Sequence, residues 1–244
     1  MSERVCGILL AGGAGTRLRS LYPDVPKPFI DVAGQPFIQW VLRQFAGQGI
    51  EDFIVSLGHL AEVAERQLNK RPVDGLQVRC VQEPTPLGTG GAVRFAASAC
   101  DHEWLAIANA DSLLLADWHG VWPRLADPAV DGVLLGVEVD DASRYGQLAV
   151  DGDDRLVGFR EKQPGAGLIN AGVYVFKRRL LARFPDRVPL SLEHDVFPSL
   201  LAEGAHFEVE RTRAEFLDIG TPETIRQAAR FVERHFAVEV IRDH

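Results

Sequence analysis

Cysteine is scarce in this chain, and the few cysteines show no pattern. Cys6, Cys80 and Cys100 are odd in number and lack metal-ligand spacing. Their arrangement argues against a disulfide framework and predicts buried, reduced thiols in a cytoplasmic protein. The seven histidines are dispersed as well. A zinc site is therefore not expected.

Long apolar runs and a surplus of basic charge are also lacking. No segment approaches the roughly 20 apolar residues of a membrane-spanning helix, and the N-terminus does not read as a secretory signal. Acidic residues outnumber basic ones by 34 to 26, and the formal net charge is −8. We therefore expect neither a membrane nor a nucleic acid as partner, whereas a small anionic ligand needs only local positive charge.

Strand and helix patterns alternate along the first half of the chain. Strands are predicted at Val5–Ala11, 53–57, 76–81 and 104–108, and helices at 37–45, 60–68 and 90–99. The second half mixes strands at Gly132–Val139, Gln147–Val150, 156–159 and 171–176 with a helix capped by Ser191 and a last helix over 221–235. This alternation predicts an α/β fold: one domain with a mixed, mainly parallel sheet and helices on both faces.

A glycine-rich loop that carries cations follows the first predicted strand. Residues 12–18 read GGAGTRL, and Lys27 follows between two prolines. Glycines let backbone N–H groups approach a phosphate, and Arg17 and Lys27 add positive charge. The spacing fits neither a dinucleotide fingerprint nor a P-loop, which disfavours an NAD(P)-dependent oxidoreductase. The prolines predict a stiff extended segment for Lys27, and a plain strand-to-helix turn is the alternative for the loop.

Two aspartates follow apolar strands. Asp111 comes directly after the predicted strand 104–108, and Asp218 ends a short apolar run. In an open parallel sheet, ligands bind at the carboxyl ends of the strands, where the glycine loop also lies. A carboxylate beside a phosphate requires a cation between them, and Mg²⁺ is suited to that position. Alternatively, Asp111 caps a following helix and Asp218 organises the turn at Gly220.

Other polar segments are candidates for the remainder of a site. Residues 87–92 form a second glycine-rich turn that opens a helix, and its free amides suit a base or a phosphate. The amide of Gln82 suits a base edge. Glu161 and Lys162 suit sugar hydroxyls and a phosphate, although a solvated strand edge explains them equally well.

Taken in order, these segments resemble the sugar-1-phosphate nucleotidyltransferases over residues 5–231. The segments that carry the resemblance are 12–18, 26–28, 87–91, 109–111, 161–162, 170–172 and 218–220. It implies a Rossmann-like fold and an enzyme that joins an NTP to a sugar 1-phosphate and releases pyrophosphate. The chain offers no convincing Ser/His/Asp or Cys/His set. This absence agrees with the reaction, because an anionic sugar phosphate needs no general base and positioning and charge neutralisation drive such transfers.

The resemblance also implies a role for individual residues. Arg17, Lys27 and Asp111 are the expected catalytic residues, and Asp111 and Asp218 are the expected Mg²⁺ ligands. The expected nucleotide-binding residues are Leu10, Gly12, Gly13, Gly15, Thr16, Gln82, Gly88 and Thr89. The expected sugar phosphate-binding residues are Gly146, Glu161, Lys162 and Asn170.

Among short members, the chain is most similar to the D-glycero-D-manno-heptose 1-phosphate guanylyltransferases. Segments 34–37, 170–174, 191–195 and 216–220 carry this likeness, whereas Ala110 departs from the glycine common before the aspartate. GTP and a heptose 1-phosphate are the implied substrates, with GDP-heptose for a surface glycan as product. N-acetylmuramate or hexose 1-phosphate uridylyltransferases and mannose 1-phosphate guanylyltransferases remain alternatives.

The extent of the chain adds two expectations. It ends soon after the last predicted helix, so a single catalytic domain over residues 1–244 without a C-terminal β-helix is expected. A homo-oligomer is compatible with the sequence. A catalytically silent sugar-nucleotide-binding subunit is the non-enzymatic alternative, and the presence of Arg17, Lys27 and both aspartates argues against it.

Overall fold

The computed structural model describes residues 5–13 and 15–240, with side chains up to residue 236; Ala14 of the glycine loop and the outermost residues of the predicted domain lie outside this range. The strands are β1 (Val5–Ala11), β2 (Asp31–Val32), β3 (Gln35–Pro36), β4 (Asp52–Leu57), β5 (Gln77–Gln82), β6 (Trp104–Asn109), β7 (Ser112–Leu114), β8 (Gly132–Val139), β9 (Gln147–Val150), β10 (Leu156–Arg160), β11 (Gly167–Lys177), β12 (Phe207–Thr212) and β13 (Phe216–Asp218). The α-helices are α1 (Phe37–Ala46), α2 (Ala61–Lys70), α3 (Gly88–Ala97), α4 (Val121–Leu125), α5 (Phe197–Ala202) and α6 (Pro222–Val240). Across the described residues, no helix combines the length and the apolar character needed to span a membrane.

A mixed nine-stranded sheet forms the centre of the molecule. Its main path runs β10-β9-β11-β6-β1-β4-β5, and β8 joins β11 to β12. Strands β6, β1, β4 and β5 are parallel neighbours, whereas β11 runs antiparallel to β6. The sheet therefore has a parallel half built from the first part of the chain and a mixed half built from the second.

Helices cover both faces of the sheet because the central strands are apolar on both sides. Leu9 of β1 is fully buried with Trp40 and Phe45 of α1 on one face. Its neighbour Ile8 is fully buried with Val93 of α3 on the other face. Successive residues of a strand face opposite sides, so one strand contributes to two cores. The prediction of an α/β fold with helices on both faces is confirmed.

Several local predictions differ from the structure. The helix capped by Ser191 begins as a π-helical turn at Leu192–Val196, in which Ser191 Oγ accepts from the His194 N–H, and continues as α5. The extended segment predicted for Lys27 is wrong, because Lys27–Phe29 is a 3-10 turn in which Phe29 N–H donates to Pro26 O over 2.8 Å. Cys6 and Cys100 are buried and unpaired as predicted, whereas Cys80 is only half-buried.

Candidate active site

A cavity of about 520 Å³ opens at the carboxyl ends of the parallel strands β1 and β6. We call it the nucleotide cavity. It is lined by Leu10, Ala11, Gly12, Gly13, Gly15, Thr16, Arg17, Leu18, Lys27, Pro28, Glu83, Pro86, Leu87, Gly88, Thr89, Ala92, Asn109, Asp111 and Gly220. The fold thus brings the three predicted catalytic residues together with all predicted nucleotide-binding residues except Gln82. This is the position at which open α/β sheets bind ligands.

Close backbone packing holds the glycine loop above β1. A Cβ on Gly58, which follows β4, would lie 2.6 Å from Gly12 O, so only glycine allows this approach. The segment after the loop contacts the next residue of the same turn, because Arg19 Nη2 lies 2.7 Å from His59 Nε2. Arg17 is exposed, and no hydrogen bond or ion pair joins it to any other residue that the structure describes. Its guanidinium is therefore available to an anionic ligand in the cavity.

Lys27 and Asp111 form the charged centre of the cavity. Lys27 Nζ donates to Asp111 Oδ2 over 2.5 Å, and both side chains are largely buried, at 18% and 30% exposure. Ser112 Oγ donates to the second carboxylate oxygen over 3.2 Å. Asp111 is followed by strand β7, so the alternative that it caps a helix is wrong. The pair places a cation and an anion side by side at the floor of the cavity.

Asp218 approaches the same place from another strand. Strands β7 and β13 pair antiparallel with Asp218 opposite Ser112, and Ile219 N–H donates to Asp111 O over 3.0 Å. Asp218 accepts from Gly220 N–H over 3.0 Å and from Tyr145 OH over 3.3 Å. Burial, followed by the charge of Asp218, raises the pKa of Tyr145, so its hydroxyl stays a neutral donor. Asp218 therefore also organises the turn at Gly220, as the alternative interpretation of this residue predicted.

Glu83 lies in the nucleotide cavity where the sequence suggested Gln82. Its carboxylate accepts from Ser56 Oγ over 3.0 Å and from Leu87 N–H over 3.2 Å. A Cβ on Gly12 would lie 2.3 Å from Glu83 Oε1, so the carboxylate touches the glycine loop. Gln82 is exposed at the end of β5 and does not line the cavity. Neighbouring side chains of a strand face opposite sides, and the sequence could not tell which one faces inward.

The second glycine-rich turn begins α3, as predicted, but two of its amides are already in use. Gly90 and Gly91 donate to Leu190 O over 2.8 and 3.3 Å. Gly88 adopts a φ of +76°, and a Cβ there would meet Leu190 O at 2.5 Å. The turn therefore packs against the segment before the π-helical turn, and it contributes Leu87, Gly88, Thr89 and Ala92 to the cavity lining.

A carboxylate that the sequence reasoning missed connects this turn to β11. Glu193 accepts from Thr89 Oγ1 over 3.3 Å, from Ser191 Oγ over 3.1 Å and from Tyr174 OH over 2.9 Å. Burial, then the charge of Glu193, raises the pKa of Tyr174 well above its usual value. Tyr174 in turn accepts from Asn170 Nδ2 over 2.8 Å. This hydrogen-bond network connects Thr89 in the nucleotide cavity with Asn170, a predicted sugar phosphate-binding residue.

The other predicted sugar phosphate residues lie outside the nucleotide cavity. Glu161 and Lys162 follow β10 and are exposed, and neither bonds to another described residue. Gly146 O accepts from Asn170 N–H over 2.8 Å, so these two backbones are joined. The structure leaves the roles of these four residues as predictions.

Comparisons with known proteins agree with the geometry. The family model of the nucleotidyl transferases matches residues 6–235. The mannose-1-phosphate guanylyltransferase of Mycobacterium tuberculosis is 35% identical over 100% of this chain and 69% of that protein. The D-glycero-alpha-D-manno-heptose 1-phosphate guanylyltransferase of Aneurinibacillus thermoaerophilus is 30% identical over 93% of this chain and 98% of that protein.

A solved structure shows the same fold. HddC from Yersinia pseudotuberculosis, complexed with GMP-PN, has a TM-score of 0.81 and 32% identity over 93% of this chain and 98% of that chain. The resemblance predicted from the sequence is confirmed. The chain belongs to the nucleotidyl transferase family.

Proposed function

We propose that this enzyme transfers GMP from GTP to a sugar 1-phosphate, giving a GDP-sugar and pyrophosphate, and that the sugar is D-glycero-D-manno-heptose. The observation that carries the proposal is the meeting of the glycine loop, Arg17, Lys27 and Asp111 on one cavity. Relatives named guanylyltransferases support GTP. The match to nearly the full length of a heptose 1-phosphate enzyme supports the sugar.

The reaction requires two anions to approach each other. A phosphate oxygen of the sugar phosphate forms a bond to the α-phosphorus of GTP, the bond from that phosphorus to the bridging oxygen breaks, and pyrophosphate leaves. Charge repulsion and alignment are the main barriers, and fixed cations lower the first of them. Lys27 at the floor of the cavity neutralises charge at the α-phosphate, and exposed Arg17 holds the outer phosphates.

Asp111 and Asp218 fit a divalent cation. Carboxylates are the ligands that Mg²⁺ prefers together with phosphate oxygens. Each oxygen of these two side chains accepts one hydrogen bond from the protein and keeps a further lone pair. When bound, Mg²⁺ supplies positive charge that offsets the developing charge on the pyrophosphate. Asp111 and Asp218 would hold the ion, and the Lys27 ammonium group beside Asp111 would neutralise charge at the α-phosphate.

Glu83 gives the cavity a reason to prefer guanine. Its two oxygens accept from Ser56 and Leu87 and retain lone pairs on the cavity side. Guanine presents an amino donor beside its ring N–H, whereas the pairing edge of uracil presents one N–H between two carbonyl oxygens. A carboxylate can therefore accept two hydrogen bonds from guanine but only one from uracil, whose two flanking carbonyl oxygens it repels.

A pyrophosphate-release assay tests the proposed reaction. GTP, UTP, dTTP, CTP and ATP are crossed with heptose, mannose, glucose and N-acetylated sugar 1-phosphates, with and without Mg²⁺. We expect activity with GTP and the heptose 1-phosphate that depends on Mg²⁺. Mannose 1-phosphate is the second candidate, because the relative at 35% identity carries that name. A preference for UTP, or no pyrophosphate release with any pair, would contradict the proposal.

A further inference from the structure

The fold brings two cysteines and a histidine together at the other end of β1. One ligand atom each from Cys6, Cys100 and His102 lies within 4.8 Å of the other two. Cys6 is near the start of β1, and the other two precede β6. We call these residues the thiol–imidazole cluster. The spacing along the sequence did not indicate this cluster, because it arises from the parallel pairing of β1 with β6, which sets Cys6 opposite Leu105.

The cluster is separate from the nucleotide cavity. Cys6 is five residue steps along β1 from Ala11 at the cavity, a length of roughly 17 Å in a strand. Cys6 and Cys100 are buried, at 0% and 4% exposure. The proposed reaction uses none of the three side chains.

The histidine is oriented as a metal ligand. His102 Nε2 lies 3.4 Å from Asp52 Oδ2, and Asp52 is also held by Arg79. Its Nδ1 is buried and has no hydrogen-bond partner among the described residues. A carboxylate on one ring nitrogen with the other nitrogen left for a metal is the arrangement that supports metal-bound histidines. The buried Nδ1 is thus the ring nitrogen left for a metal ion.

The two sulfur atoms complete a soft donor set. Cys6 and Cys100 are unpaired, and Arg178 Nη1 lies 3.6 Å from the Cys100 sulfur. Ligands of a tetrahedral zinc ion stand about 3.5–3.8 Å apart, given Zn–S of about 2.3 Å, a spacing that the cluster reaches with small movements.

We propose that Cys6, Cys100 and His102 bind a thiophilic divalent cation of the zinc class, with Asp52 positioning His102. The fourth coordination position is open to water, as in other three-ligand zinc sites. His102 borders a surface cavity of about 920 Å³ that also includes Asp101 and Glu103 and provides an entry path. Binding releases the thiol protons and fixes the start of β1 to the segment before β6. The ion stabilises the fold because it binds only the folded chain.

Cobalt titration of the full, reduced chain tests this site. Cysteine-bound Co²⁺ gives sulfur-to-metal charge-transfer absorption that a carboxylate site such as Asp111 cannot give. We expect one equivalent of Co²⁺ with this signature, its displacement by Zn²⁺, and an upward shift of the Tm with Zn²⁺. Cys100→Ser and His102→Gln should lose the signature, whereas Cys80→Ser, a half-buried cysteine outside the cluster, should keep it.

Further outcomes separate the proposal from its rivals. Asp52→Asn should weaken cobalt affinity about tenfold to a hundredfold while the signature persists, as expected for a positioning residue. No charge-transfer band, or an equal band in Cys100→Ser, would overturn the proposal. A Cys6–Cys100 disulfide found by peptide mapping, with no metal uptake by the reduced chain, would also overturn it. The assay reads metal uptake and Tm, so its failure is independent of guanylyl transfer.

Discussion

The predicted nucleotide half and the predicted sugar phosphate half of the site are built differently. The nucleotide half is a cavity lined mainly by residues at the ends of β1 and β6 and in the segments that follow β1, β5 and β6. It already holds the Lys27–Asp111 ion pair. In the sugar phosphate half, Glu161 and Lys162 are exposed and make no bond to any other residue within the described part of the chain.

The difference follows from topology. Parallel strands bring their carboxyl ends to one edge, so loops distant in sequence meet there without further specification. The second half of the chain contributes antiparallel strands such as β10 and β11. Neighbouring antiparallel strands end at opposite edges of the sheet, so the loops that follow them do not all meet at one edge. The nucleotide half is therefore preformed, whereas we expect Glu161 and Lys162 to gain contacts only when the sugar phosphate binds.

The largest expected effect is that of Lys27→Ala. Removing the cation at the α-phosphate should lower kcat about 100- to 1000-fold, as does loss of a preorganised charge-stabilising donor, with little change in KM. Steady-state kinetics on both substrates measure this. Lys70→Ala, an exposed lysine on α2, is the control and should behave like the unmodified enzyme. Turnover close to normal in Lys27→Ala would contradict the claim that the nucleotide half is preformed for catalysis.

The next effect concerns the base. Glu83→Gln replaces one acceptor by an amide donor that faces the donors of guanine, so the preference for GTP over UTP should fall about tenfold to a hundredfold. Ratios of kcat/KM for the two nucleotides measure it, with Glu65→Gln on the exposed face of α2 as control. Gln82→Ala should leave the ratio unchanged. If Gln82→Ala shifts the ratio and Glu83→Gln does not, the base contact belongs to Gln82.

A smaller effect should be confined to the other half. Lys162→Ala removes one charged contact to the sugar phosphate and should raise its KM about tenfold, equivalent to about 1.4 kcal/mol, while the KM for GTP stays constant. Initial rates with each substrate varied in turn measure both constants, and Lys70→Ala is again the control. An unchanged KM for the sugar phosphate would contradict this role and favour the alternative interpretation, in which Lys162 lies on a solvated strand edge.

The smallest effect tests the connection between the halves. Thr89→Val removes the acceptor of Leu192 N–H, which Thr89 Oγ1 binds over 2.8 Å, and a donor to Glu193. We expect the free energy of unfolding to fall by about 1 kcal/mol, with a small rise in both KM values. Urea unfolding and kinetics measure this against Thr85→Val, an exposed threonine in the same loop. A large loss of kcat at unchanged stability would instead give Thr89 a part in the chemical step.

The sequence predicted the preformed half better than the rest. The meeting of Lys27 with Asp111 follows from strand alternation, because both lie after strands of a parallel sheet. The choice between Gln82 and Glu83 depends on which side of β5 faces the cavity. A shift of the strand register by one residue would exchange the two side chains, and the sequence does not show the register. The 3-10 turn at Lys27 went unpredicted because its flanking prolines favour extended backbone.

Long-range register explains the proximities that the residues by themselves did not indicate. Asp218 lies beside Asp111 only because β13 pairs with β7, a three-residue match without a local signal. Glu193 is brought to Thr89 and Tyr174 by a π-helical turn that local propensity does not indicate. Cys6 is distant in sequence from Cys100 and His102, and only the pairing of β1 with β6 brings it to them.

A structure with a non-hydrolysable GTP analogue and Mg²⁺ tests the central claim most directly. The account predicts the α-phosphate within about 3 Å of Lys27 Nζ, the outer phosphates against Arg17 and the glycine-loop amides, and the cation between Asp111 and Asp218. A triphosphate that lies away from Lys27, Arg17 and Asp111 would contradict it.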